Sequence, residues 1–261
     1  MDSYVEHNAE AWDWEVERHN IWTDGCTQSQ IEKAKKGELE MILSPFKQVP
    51  PLWVKDVEGK NVLALACGGG QQAVLLSLAK ADVTVFDISA KQLAQDQLYA
   101  QRLGLKLTCI QGDMQDLSMF CDNQFDMIYN PTSTCFIADV VHVYRQVYRI
   151  LKPGGFFLTS IINPALYLFD EKKVMKNRLK VKYTLPYSDL SSISKKELER
   201  RMKQHDTIEF SHTLQDLLCG LTDSGFIITD MYTDMAGFML IDSFLQDCYL
   251  AVRAKKCTDS L

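Results

Sequence analysis

Three short stretches of this chain carry residues suited to holding a ligand. Ala66-Cys67-Gly68-Gly69-Gly70 has almost no side-chain bulk, so a ligand can approach its backbone N–H groups closely. The stretch also satisfies G-x-G-x-x-A through Gly68, Gly70 and Ala73, with Asp87 seventeen residues beyond Gly70, a pattern that suits a dinucleotide. A tight strand-to-helix turn with no ligand would read the same way. Asp87 strengthens the ligand reading, because a carboxylate ending a strand can accept both hydroxyls of a ribose. Gly112-Asp113-Met114 and Asn130-Pro131 each close another apolar run.

These residues need a frame, and the spacing of apolar positions predicts one. Val62 to Ala66 is a continuous apolar run, Ala73 to Ala79 reads as a buried helix, and Val83 to Phe86 is a second strand ending on Asp87. Ser89 is placed to cap a helix with Ala90, Leu93, Ala94 and Leu98 on its apolar face, and Gly104 stops it. Leu107 to Gln111, Phe125 to Tyr129 and Gly155 to Ile161 supply further strands, with a helix over Ala138 to Leu151. Thr213-Leu214-Gln215-Asp216 is a capping-box variant opening a helix that Gly225 ends. Phe226 to Met231 and Asp247 to Arg253 are the last strands. The linker between them, broken by Gly237, is too short for a full helical crossover, so an antiparallel edge strand is expected. The predicted fold is α/β: a Rossmann-like, doubly wound, mainly parallel seven-stranded sheet with helices on both faces.

The order of these motifs, with Arg149-Ile150-Leu151-Lys152-Pro153-Gly154-Gly155 leading into the fifth strand, resembles the class I S-adenosylmethionine-dependent methyltransferases. The likeness is strong over residues 61–163 and topological over 211–253, and it is nearest to the small-molecule (type 11) group that includes quinone-biosynthesis enzymes. It implies S-adenosylmethionine as cofactor. Ala66, Cys67, Gly68 and Gly70 then match the loop contacting its methionine part, Asp87 with Ile88 the ribose site, and Asp113 with Met114 the adenine pocket. Asn130 and Pro131 match the loop facing cofactor and substrate. Two positions depart from the family: Ala64 stands where an acidic residue is usual, and Ala66 replaces a glycine, which requires φ to be negative there. The resemblance implies one methyltransferase domain over 1–261: an N-terminal lid and helix (1–58), a cofactor core (59–163), a substrate-cap insertion (164–212), and a C-terminal helix and strands (213–261). A nicotinamide-dependent oxidoreductase and a non-catalytic S-adenosylmethionine-binding protein are the alternatives.

Methyl transfer from a sulfonium asks mainly for alignment and exclusion of water, and for a base only if the acceptor sheds a proton early. His142 falls on a solvated helix stripe with Arg145, Gln146 and Arg149, which leaves His212 as the candidate base. Asn130-Pro131-Thr132-Ser133 lacks the second proline and the aromatic of the N-P-P-aromatic motif of enzymes that methylate nucleic-acid amino groups. The candidate substrate residues lie elsewhere. Tyr4, Trp12, Trp14 and Trp22 crowd the N-terminus, and Trp12 and Trp14 cannot share a helical face, so Trp12 and Trp22 are candidates. The insertion supplies Tyr183 and Tyr187, and between 170 and 205 it carries eleven Lys or Arg against five Asp or Glu. That surplus suits an anionic or aromatic small-molecule acceptor, or simply a solvated face.

Composition sets the limits. The 261 residues carry a net charge of −6, which argues against a general nucleic-acid binder. No apolar run reaches membrane-spanning length, and the start, Met1-Asp2-Ser3-Tyr4, does not read as a leader. Eight scattered cysteines without a C-x-x-C pair fit reduced thiols in the cytoplasm, with no disulfide frame and no metal site.

Overall fold

The computed structural model describes residues 3–258; Met1 and Asp2, on which the reading of the start partly rests, lie outside them. Seven strands form one sheet: β1 (Asn61–Leu65), β2 (Asp82–Asp87), β3 (Leu107–Gln111), β4 (Phe125–Asn130), β5 (Leu151–Ile162), β6 (Phe226–Asp234) and β7 (Tyr249–Lys256). Their spatial order is β3-β2-β1-β4-β5-β7-β6. The strands β1 to β5 pair in parallel, and β7 runs antiparallel to both its neighbours. The antiparallel strand expected at this margin thus slots between β5 and β6, and β6 is outermost.

The apolar run of β1 is explained by burial on both faces. Successive side chains of a strand point to opposite sides. Val62 and Ala64 enter one apolar cluster, with Ala73 to Leu76 of α4 (Gln72–Leu78) and with Trp53 and Val54 of α3 (Pro51–Val54). Leu63 and Leu65 enter the other, with Val140, Val143, Tyr144 and Val147 of α6 (Val140–Ile150). Each fully buried side chain of this size contributes about 1.5–3 kcal/mol, so the double cover fixes the sheet firmly.

Helix ends follow the local chemistry. Ser89 Oγ accepts the Gln92 N–H at 3.1 Å at the start of α5 (Ala90–Leu103), and Gly104 ends it in the left-handed region at φ 65°. Thr213 and Asp216 cap each other, Thr213 Oγ1 accepting the Asp216 N–H at 3.0 Å and donating to its carboxylate at 2.6 Å. The first turn behind that cap, Gln215–Cys219, is wide, with a π-type hydrogen-bond pattern, before α10 (Gly220–Asp223). The Lys152-Pro153-Gly154-Gly155 stretch belongs to β5 itself, as an irregularity in its pairing with β4, and Gly154 takes φ 81°.

The segments outside the sheet converge on the carboxyl ends of its parallel strands. Residues 164–212 hold α7 (Glu171–Val174), α8 (Asp189–Ser192) and α9 (Lys195–Lys203), and the return leg is tied down by Phe210 N–H on the Cys135 carbonyl at 2.7 Å. Helix α1 (Ser3–Glu17) bridges this insertion and α5: Asn8 exchanges hydrogen bonds with the Ile208 backbone, and Asp13 takes the Ser89 hydroxyl and the Lys91 N–H. From α2 (Gln28–Ala34) the chain runs on to a segment where Ser44 Oγ and the N–H groups of Phe46 and Lys47 all donate to Asp234 Oδ2. The β6–β7 connection holds only α11 (Met239–Asp242), too little for a crossover.

Candidate functional site

The glycine loop between β1 and α4 is held from below by two buried carboxylates. Gly68 N–H donates to Asp87 Oδ2 at 2.9 Å. Gly69 and Gly70 N–H donate to the two oxygens of Asp96, at 2.9 and 3.0 Å. A Cβ on Gly68 would lie 2.8 Å from Gln92 Cβ and 3.2 Å from Asp87 Oδ2, so the loop can pack this tightly only without one. Burial pushes the Asp96 carboxyl up to about 7, against the lowering effect of its two N–H donors. Asp87 is raised by burial too, with the N–H groups of Ser89 and Gly68 pulling the other way. Ala66 has φ 47°, in the left-handed region, so the expectation of negative φ is corrected. Its N–H is held by the Phe86 carbonyl at 2.8 Å, and β1 turns into the loop there whatever residue is present.

Above the loop opens a cavity of about 710 Å³, inside the range of about 300–1,000 Å³ usual for small-molecule sites. One end is lined by Ala66, Cys67, Gly68, Asp87, Ile88, Asp113 and Met114, and Pro131 borders it. Asp113 is oriented by Gln115, whose backbone N–H donates to Oδ1 at 2.9 Å and whose side-chain amide donates to Oδ2 at 3.0 Å. Trp12 and Trp22 also face the cavity, and Trp12 meets Phe136 edge to face at 5.4 Å. Trp14, two residues on, is not part of the lining and stacks at 5.0 Å on His205, which is.

The far end is walled by the insertion. Tyr183 and Tyr187 line it together with Tyr167 and Phe169, Tyr167 and Tyr187 being stacked at 5.4 Å. Glu209 lies here with Oε2 accepting the Tyr167 hydroxyl at 2.7 Å, and its deep position pushes the carboxyl up to about 7. Of the eleven basic residues between 170 and 205, Arg201 lines the cavity, and it is paired with Asp189 and Glu171.

Three predicted site residues do not reach the lining. Gly70 faces Asp96. Asn130 is fully buried behind the wall, donating to the Leu65 carbonyl and Ser133 Oγ and accepting from Thr159, so it ties the ends of β1, β4 and β5 together. His212, the candidate base, shares a hydrogen bond of 3.0 Å with the Thr134 carbonyl, and burial lowers its pKa. It does not line the cavity. Asp96, Glu209 and Tyr167 carry no local motif; the signal for Asp96 was an acid on the inner face of α5, four residues after the buried Gln92.

Comparison with known proteins agrees with this geometry. Residues 63–159 match a family model described as a methyltransferase domain. The chain is 41% identical over 256 residues to YbaJ, an uncharacterized methyltransferase of Bacillus subtilis (strain 168), covering 98% of this chain and all of that one. The chain belongs to the class I S-adenosylmethionine-dependent methyltransferases. This methyltransferase is also 32% identical over 138 residues to a ubiquinone biosynthesis O-methyltransferase of Pseudomonas savastanoi, half of this chain and 60% of that protein. Its fold matches that of a Mesorhizobium loti S-adenosylmethionine-dependent methyltransferase with TM-score 0.59 and 20% identity, over 78% of this chain and 94% of that one. The dinucleotide reading of the loop gives way accordingly.

S-adenosylmethionine is the cofactor of this methyltransferase, and the residues present suit it. The loop leaves a cradle at Gly68 that a Cβ would fill, and Asp87 keeps oxygen lone pairs at the lining beyond those used by Gly68 and Ser89. Gln92 Oε1, buried beside Gly69, has no hydrogen-bond partner among the described residues and is an acceptor left for a ligand. Ala64 is fully buried in the sheet, so no carboxylate stands at the family's usual position under the loop.

Proposed function

We propose that this methyltransferase modifies a small, ring-bearing molecule held under the 164–212 insertion, inside the cell. The observation that carries this reading is the single cavity that runs from Asp87 and Asp113 to Tyr167, Tyr183 and Tyr187. In this reading Asp87 holds the ribose hydroxyls, Asp113 and Met114 border the adenine, and Ala66, Cys67 and Gly68 face the methionine part. Ile88 and Pro131 border the same end. The cofactor supplies an electrophilic methyl group on a sulfonium. The protein aligns the acceptor in line with it and keeps water out. Trp12 and Trp22 supply the roof from a lid formed by residues 1–58, Tyr183 and Tyr187 hold a ring, and residues 59–163 and 213–261 form the rest of one domain. The basic surplus of the insertion faces solvent, which favours an aromatic over an anionic acceptor. Free thiols at eight positions suit a reducing compartment.

Incubating the enzyme with methyl-labelled S-adenosylmethionine and a cell extract tests the reading. Label is expected in the low-molecular-weight fraction; label confined to protein or RNA would exclude a small acceptor. Replacing Asp87 by Ala should weaken S-adenosylhomocysteine binding by about 1.5–3 kcal/mol in calorimetry, the range for hydrogen bonds to a charged group.

A further inference from the structure

The acceptor end of the cavity contains a carboxylate that the cofactor does not need. Glu209 is carried on the return leg of the insertion, where its N–H donates to Asp189 Oδ2 at 2.9 Å and the neighbouring Phe210 N–H is fastened to Cys135 after β4. This places it over the carboxyl end of β4, on the substrate side. Oε2 takes the Tyr167 hydroxyl. Oε1 has no hydrogen-bond partner among the described residues, and the half-buried side chain lines the cavity.

The charged groups around it set the sign of what fits. Tyr167 faces it from the turn after β5, Glu171 from α7, Asp189 from α8, Arg201 from α9, Cys135 from the β4 loop, and Tyr249 from β7. Cys135 and Tyr249 are neutral, because burial pushes both upward. Arg201 is the cation, and it already bonds Asp189 Oδ1 and Glu171 Oε2 at 3.2 Å each. One cation faces two carboxylates before Glu209 is counted, so an ionised Glu209 leaves this end negative. An anionic acceptor is repelled there and a cation is attracted. The walls agree: Tyr183 meets Tyr187 edge to face at 4.9 Å, and Lys182, which pairs with Asp170 and does not itself line the cavity, holds its Nζ 4.6 Å from the Tyr183 ring centre. Aromatic faces arranged in this way take a cation or a flat ring.

We propose that Glu209 binds the methyl acceptor and takes its proton, and that this acceptor is an amine carried on a planar ring. The inference rests on the small-molecule methyltransferase reading above and names its substrate class. An ammonium group enters as the partner of Oε1 and hands one proton to the carboxylate. The freed nitrogen lone pair then forms the bond to the methyl carbon, and the carbon–sulfur electron pair returns to sulfur. The products are the methylated ammonium, a neutral thioether and a protonated Glu209.

The test uses benzylamine, benzyl alcohol and benzoate as probes, observed by ligand NMR on the full-length protein saturated with S-adenosylhomocysteine. Wild-type protein at pH 8 should bind benzylamine at least tenfold more tightly than benzoate. Lowering the pH to 6 should weaken benzylamine about tenfold, as a carboxyl titrating near 7 takes up its proton. Glu209→Gln should bind benzylamine about tenfold more weakly at pH 8 and lose the pH dependence, while keeping its S-adenosylhomocysteine affinity within twofold, which also reports that it folds. Tyr167→Phe removes a hydrogen bond that favours the ionised form, so the midpoint of the benzylamine pH profile should move up; a merely structural Glu209 would leave that midpoint in place. Benzoate binding as well as benzylamine, or benzylamine binding unchanged in Glu209→Gln, would overturn the proposal. Failure of wild-type protein to bind S-adenosylhomocysteine would count instead against the cofactor assignment beneath it.

Discussion

At Ala66 a single methyl group works against the loop it belongs to. An L-residue in the left-handed region costs about 1–2 kcal/mol, and glycine avoids this while losing more chain entropy on folding. Ala66→Gly is therefore expected to stabilise the protein by up to about 1 kcal/mol, read as a rise in its thermal midpoint; a fall would show that the methyl packs usefully against its apolar neighbours. Asp96 gives a second prediction. Its folded pKa of about 7 stands above the ordinary carboxylate value of 3.8, so the native state holds this proton more tightly than the unfolded chain does. The associated stability is full below the unfolded value and is lost as pH rises through about 4 to 7. Asp96→Asn should remove that loss, so its urea midpoint should fall less between pH 5 and 8 than that of the wild type. Gly68 and Asp87 were legible in the sequence because a bare loop and an acid ending a strand are local signals. Asp96 and Glu209 were not, since their importance comes from partners far along the chain: Gly69 and Gly70 for one, Tyr167 for the other.

At the scale of elements, α1 joins parts that are distant in sequence. Asp13 completes the start of α5 from outside it, accepting both the Ser89 hydroxyl and the Lys91 N–H. Losing a helix cap costs about 0.5–2 kcal/mol. Asp13→Ala should lower stability by that amount and also weaken S-adenosylhomocysteine binding several-fold, since Trp12 beside it roofs the cavity. Unchanged affinity in calorimetry would separate the roof from the ligand. The aromatic cluster marked this helix in the sequence, and helical geometry correctly separated Trp12 from Trp14. Periodicity also found the seven strands, most plainly β1, whose run is apolar because it is buried on two faces, although β3 and β6 are largely half-buried or exposed. The slot taken by β7 was less legible, for strand order follows from pairing across the sheet and leaves no trace in spacing along one strand. The charge of the insertion misled for a similar reason: a count of eleven basic residues does not say which way they point, and Arg201 alone among them reaches the cavity lining.

Over the whole molecule, a ligand that binds only the folded state adds stability by mass action. S-adenosylhomocysteine at a hundred times its dissociation constant should contribute about 2.7 kcal/mol, equivalent to about 5–10 °C in thermal midpoint for a chain of this size. NADH at the same concentration should produce no shift, and a shift with NADH alone would reopen the dinucleotide reading. The slot of β7 also bears on the order in which the molecule can be completed. Within the sheet β6 pairs with β7 and nothing else, and Asp234 at its end is the anchor for Ser44, Phe46 and Lys47. While the chain is still emerging from the ribosome, β6 has no strand to lie on until Tyr249 and its successors are made. The segment around Ser44, translated long before, is held at Ile42 and Leu43 by Gln72, Tyr129 and Thr132 but lacks its Asp234 anchor until then. The Asp234 side of the cavity wall thus waits for β7, so a nascent chain has its glycine loop and Asp87 well before that wall is fully fastened.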